Sequence, residues 1–269
     1  MASSDTLDPN TMLSIRDRYF APCSLSPFAD DMARRLSRIR MGPLLEICAD
    51  TGILTQAIAS AMSAGLTIIA TDPSADAIDH ASIKPGMARI AWQLADPRAL
   101  PFPDATFGIV TCHFGIATLT NRVQSIQEVR RVMKAGGRFV FNVPAHIRHN
   151  PVADCMQSAM NTLFPSDPPG FVAHTLHAYA DNAAIDDDLT AAGFTDATYT
   201  TVELPCVAAS ARDIAVGYCL GTPLRSQIEA RGPGEAEQVI RTAVAALEKR
   251  FGPGPIEAGM RAHIISASG

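Results

Sequence analysis

The chain has 269 residues, 47% of them hydrophobic and 18% charged, and a net charge of −5. That size and balance allow a full hydrophobic core and exclude a disordered chain, and the acidic balance argues against a broad nucleic-acid surface, which needs clustered Lys and Arg. Six scattered cysteines (Cys23, Cys48, Cys112, Cys155, Cys206, Cys219) form no CxxC pair, so they are expected as reduced thiols packed in the core of a cytoplasmic protein, with no zinc site. The N-terminus lacks a signal-peptide pattern, and no apolar run is long enough to span a bilayer.

Residues 1–10 read as a loose tail. Met12, Ile15, Tyr19 and Phe20, then Phe28, Met32, Leu36 and Ile39, recur at helical spacing, broken by Pro22 and Pro27, so two helices precede the first strand. The segment Leu44–Thr55, LLEICADTGILT, is a buried apolar run that turns sharply at Gly52 into a helical pattern. A strand turning into a helix in this way directs backbone N–H groups into the crevice above a parallel sheet. Further strands are expected at Leu66–Thr71, Ala88–Leu94, Thr106–His113 and Arg138–Pro144. Helices are expected at Ala75–Ser82, capped by Ser74, and at Val123–Met133. Alternation at this pace implies βαβ units and a mainly parallel sheet. The later chain predicts helices at Val152–Leu163 and Asn182–Ala192, a strand at Thr198–Cys206, three helical segments, and a last interior strand at Met260–Ala267. One of those helices opens with Ser210 and Asp213 as a capping box, another with Thr222-Pro223.

Three acidic residues stand at strand ends: Glu46, Asp72 and Asp96. An acid about 20 residues past the glycine turn is placed to accept ribose hydroxyls, which suits several nucleotide ligands equally. The stretches ADPRALPFPDATFGIV (95–110) and QEVRRVMKAGGRFVF (127–141) discriminate among them. In that order they resemble the class I S-adenosylmethionine-dependent methyltransferases, especially the UbiE-like, type-11 group. The resemblance runs from about Tyr19 to Pro144, with a weaker echo at Leu189–Phe194.

The resemblance implies a Rossmann-like, doubly wound seven-stranded sheet with an antiparallel last strand. It also implies a helical cap over 1–40 and a methyltransferase domain over 41–269 with helical insertions near 147–180 and 207–255. It implies roles too. Asp72 would hold the ribose with Pro73 against the adenine, and Asp96 the adenine amino group with Pro97 beside it. The turn Cys48, Asp50, Thr51 and Gly52 would run under the methionine and ribose, Glu46 would orient the amino end, and Tyr19 would close over the cofactor. Cys112 and His113 would line the sulfonium and acceptor side, with His113 the candidate general base.

Where the family has Gly-x-Gly-x-Gly, this chain has Cys48, Asp50 and Gly52. Gly108 stands for the usual Asp, and Ala135 for the usual Pro. Asp50 has two readings from sequence, a helix N-cap or a cofactor contact. The expected function is methyl transfer from S-adenosylmethionine to a small-molecule acceptor. The altered turn motivates an alternative, a catalytically degenerate binding or partner protein of the same fold. An NAD-dependent oxidoreductase is less favoured because Gly-x-Gly-x-x-Gly is missing.

Overall fold

The computed structural model describes residues 11–232 and 234–269, so the tail expected over 1–10 lies outside the described residues. The chain opens with a helical cap: α1 (Met12–Ile15), a π-helical turn (Arg16–Phe20), α2 (Ala21–Ser24) and α3 (Ser26–Leu36). Then follow β1 (Leu44–Ile47), α4 (Ile53–Ala61), β2 (Ile68–Asp72), α5 (Ala75–Ser82), β3 (Ala91–Leu94), β4 (Phe107–His113), α6 (Arg122–Val132) and β5 (Met133–Pro144). The second half holds α7 (Pro151–Leu163), a π-helical segment (Phe171–Leu176), α8 (Asn182–Ala191) and β6 (Asp196–Ala208). It ends with α9 (Ala211–Gly221), α10 (Leu224–Glu229), α11 (Glu235–Phe251) and β7 (Ile256–Ser268).

The strands form one seven-stranded sheet in the order β3-β2-β1-β4-β5-β7-β6. The first five pair in parallel, and β7 runs antiparallel between β5 and β6. The expected doubly wound sheet is thus present, and its reversed strand is the last in sequence. A parallel strand covered on both faces must be apolar throughout. The four residues of β1 are all buried, as are the first six of β4. Two cores lie on the two faces of the sheet, one built around Leu45, Phe107 and Phe139, the other around Met32, Leu44 and Ile58. A third joins the cap to α7, α9, α10 and α11 over the far ends of β6 and β7.

The caps read from sequence are made. Ser74 Oγ accepts the Ala77 N–H, and Ser210 Oγ accepts the Asp213 N–H. Thr222 Oγ1 accepts the Leu224 N–H while donating to the Tyr218 carbonyl. Gly108 has a steric cause: a Cβ there would stand 2.7 Å from Met41 Cβ and 2.8 Å from the Gly42 nitrogen. The chain before β1 crosses so closely that no aspartate fits.

The cysteine expectation needs one correction. Cys112, Cys155 and Cys219 are buried free thiols, but Cys23 and Cys206 are joined in a disulfide across 183 residues. The cap brings α2 against the end of β6, a contact that spacing along the chain does not reveal.

Candidate functional site

A cavity of about 440 Å³ opens at the carboxyl ends of β1, β2 and β4, where a doubly wound sheet binds its ligands, and its size is that of a small-molecule site. Its floor is Glu46, the turn from Cys48 to Thr51, and Asp72-Pro73. Arg16, Phe20 and Leu25 come down from the cap. Phe114, Thr118 and Leu119 follow β4, and Phe171, Thr175, Leu176, Thr222 and Pro223 close the far side.

The turn keeps the backbone path of a glycine loop without the glycines. Cys48, Asp50 and Gly52 have φ of 54°, 49° and 76°. Glycine adopts that region freely, whereas the two side-chain-bearing residues are held there against their preference. At Gly52 space is also short, since a Cβ would stand 3.1 Å from both Ala81 and Trp92. Asp50 is not the N-cap of α4; that position is Gly52, with no side-chain cap. Its carboxylate instead pairs with the Arg16 guanidinium, whose Nε donates to the Gly221 carbonyl at 2.8 Å. The half-buried Cys48 thiol is hydrogen-bonded to Cys112, and that contact, together with its desolvation, pushes it well above the usual thiol range.

Asp72 ends β2 with both oxygens engaged: Oδ2 accepts the Asp50 N–H at 2.8 Å and Oδ1 the Ser74 N–H at 2.9 Å. Each oxygen keeps a second lone pair, so the carboxylate is fixed in aim yet able to accept further hydroxyls. Burial raises its pKa, and the two N–H groups oppose that rise. Glu46 is almost wholly buried. Its Oε2 accepts the Thr55 hydroxyl at 2.7 Å, while Oε1 has no partner. Burial pushes it up to about 8, so it is mostly protonated at neutral pH and offers an O–H as well as an acceptor.

Five expected site residues are off the cavity wall, Gly52 among them, where the turn passes into α4. Asp96 and Pro97 are not on the cavity wall; Asp96 is folded onto Arg98, whose Nη2 donates to Oδ2 at 2.7 Å. Tyr19 lies off the wall with the Arg18 guanidinium 5.0 Å from its ring centre, while Arg16 and Phe20, four residues apart, share the inward face. Cys112 is fully buried beneath the turn. His113 does line the cavity, but Nε2 sits 3.1 Å from the Leu25 carbonyl and Nδ1 3.1 Å from Asn142 Oδ1. With burial pushing it down to about 4, the ring is neutral and both nitrogens face protein atoms.

Sequence reasoning did not reach Arg16, Phe20, Leu25, or the wall from Phe171 to Leu176. The available signal was Asp50 itself: a charge at a glycine position needs a partner.

Residues 45–141, the region holding the floor of the cavity, match the family described as "Methyltransferase domain". Among curated proteins, the UbiE ubiquinone/menaquinone biosynthesis C-methyltransferase of Geotalea uraniireducens is 35% identical over 103 residues, 37% of this chain and 44% of that protein. The chain thus aligns with less than half the length of the curated relatives it matches. The YcgJ protein of Bacillus subtilis superposes with a TM-score of 0.57 at 18% identity, over 89% of this chain and 97% of that one. Phosphoethanolamine N-methyltransferase 2 of Haemonchus contortus, crystallised with phosphomonomethylethanolamine and S-adenosylhomocysteine, superposes with a TM-score of 0.56 at 14% identity. That match covers 97% of this chain and 58% of the other. At these identities the solved structures establish the fold alone. Residues 45–141 thus resemble a methyltransferase domain of the UbiE-like type, and the seven-stranded sheet shares its fold with the solved structures.

Proposed function

We propose that the protein transfers a methyl group from S-adenosylmethionine to a small-molecule acceptor. The observation that carries this reading is the fixed Asp72 carboxylate at the end of β2, beside a turn that keeps glycine-loop φ values, within the matched region. The residues suit an adenosyl amino acid. Asp72 would accept ribose hydroxyls, Pro73 would pack on the adenine, and the unpartnered Glu46 Oε1 is a buried polar atom awaiting a ligand group. When bound, the cofactor supplies an already activated methyl on a positive sulfur.

The protein's part is to hold an acceptor in line and keep water out. Phe20, Leu25, Phe114, Leu119, Phe171 and Leu176 give that side of the cavity an apolar wall. His113 holds the cap down through Leu25. A cavity of about 440 Å³ favours a small molecule over a nucleic acid. Among the described residues, no helix is long and apolar enough to cross a membrane. A cytoplasmic location belongs to this reading, with the Cys23–Cys206 bond the observation against it.

A calorimetric titration with S-adenosylhomocysteine tests the proposal. The wild type is expected to bind, and Asp72→Ala to bind about tenfold or more weakly, since a charged acceptor is lost. No heat at micromolar protein would overturn it. The altered turn, with Cys48 and Asp50 where the family has glycine, favours a second reading, a binding protein that keeps the fold without the transfer. Ligand binding with no methylated product across varied acceptors would support that reading.

A further inference from the structure

We infer that Arg16 and Asp50 form a recognition pair for the zwitterionic amino-acid end of the ligand, replacing the two glycines that the turn lacks. This rests on the proposed use of S-adenosylmethionine. Arg16 is the one positively charged side chain on the cavity wall among the described residues, since His113 is neutral. Any ligand carboxylate in the cavity has no other cation to meet. Asp50 lies next to it on the same wall, its side chain 37% exposed against 11% for Arg16. An α-amino acid carries one negative and one positive group on a single carbon, and the pair presents the complementary two charges side by side. In this structure they satisfy each other; with the ligand present each would meet its opposite on the ligand.

A purely structural ion pair explains less. Asp50 takes a backbone conformation that favours glycine, with φ of 49°, so the fold accepts strain to present a carboxylate at that point. The cap has other fastenings nearby. Asp17 pairs with Lys84 and His80, and the Leu25 carbonyl lies 3.1 Å from His113. Arg16 also keeps its aim independently of Asp50. Its Nε is fixed by the Gly221 carbonyl, and α9 approaches the cap so closely that a Cβ at Gly217 would stand 2.8 Å from the Tyr19 carbonyl carbon.

The test compares S-adenosylhomocysteine with 5′-methylthioadenosine, which keeps the adenosyl group and sulfur but lacks the amino-acid end. Calorimetry is run on the wild type, Arg16→Met and Asp50→Asn. The wild type is expected to prefer S-adenosylhomocysteine. Each variant should weaken that ligand about tenfold or more, the size of a lost charge-assisted contact, and change the truncated ligand by no more than about twofold. A cap that merely loosened would weaken both ligands in proportion, and that result would overturn the inference. So would variants that leave both affinities unchanged, or a wild type that binds the two ligands equally; in each of these cases the methyltransferase reading stands. A wild type that binds neither ligand sinks both.

Discussion

Glu46 is the residue whose chemistry departs most from its type. A buried carboxyl with one hydroxyl partner resists ionisation, so it keeps its proton to about pH 8 in the folded protein and to about 4.5 when unfolded. Between those values the native state binds the extra proton, so stability is fully present below the lower value and falls as pH rises toward the upper one. The melting temperature of the wild type is therefore expected to decline from pH 5 to pH 8. Glu46→Gln, which keeps an acceptor for Thr55, should flatten that decline, and thermal melts of the two proteins across the range decide it. Asp72 differs because backbone N–H groups hold both of its oxygens, so it is aimed whatever its charge. Glu46 and Asp72 were legible in sequence, because strand ends and motif positions are local facts. The surroundings of His113 were not, because the atoms that face its nitrogens lie 29 and 88 residues away.

At the level of elements, the two motifs that carry the family resemblance prove to be two halves of one clamp. Glu128 Oε2 on α6 accepts the Leu100 N–H at 2.8 Å. Arg131, one turn later, donates to the Leu100 and Phe102 carbonyls at 2.9 and 2.8 Å and to Asp104 Oδ1 at 2.7 Å. The loop between β3 and β4 is thereby stitched to the helix after β4. The mutual hydrogen bonds lower the Glu128 pKa and raise that of Arg131. Arg131→Met should cost about 1–2 kcal/mol, discounted for its partial exposure, because two backbone carbonyls lose a charged donor. Urea denaturation at pH 7 reads this as a lower midpoint with an unchanged slope. The motif was visible as spelling. That it holds a loop needed the side-chain contacts.

At the scale of the whole molecule, the cap is a roof fastened at several points to distant parts of the chain. Arg16 reaches α9 and the turn after β1, Asp17 reaches α5, Leu25 faces β4, and Cys23 is bonded to the end of β6. Closing so long a loop restricts the unfolded chain most, and loss of such a bond typically costs about 2–5 kcal/mol. Cys206→Ser should lower the melting temperature of the oxidised protein to that of the reduced wild type. Mass spectrometry of the unreduced wild type should find the Cys23 and Cys206 peptides linked.

What the sequence determined by itself is what repeats over a few residues: buried apolar strands, helical periodicity, hydroxyl caps at Ser74 and Ser210, and two long motifs in order. Those are enough for the sheet and the resemblance, because burying a parallel strand on both faces or ending a helix is a demand met locally. Only the tertiary structure decided that Asp50 faces Arg16, that Asp96 turns to Arg98 and away from the cavity, and that two cysteines 183 residues apart are joined. A charge or a thiol chooses its partner by distance in space, and local spacing carries no record of that distance.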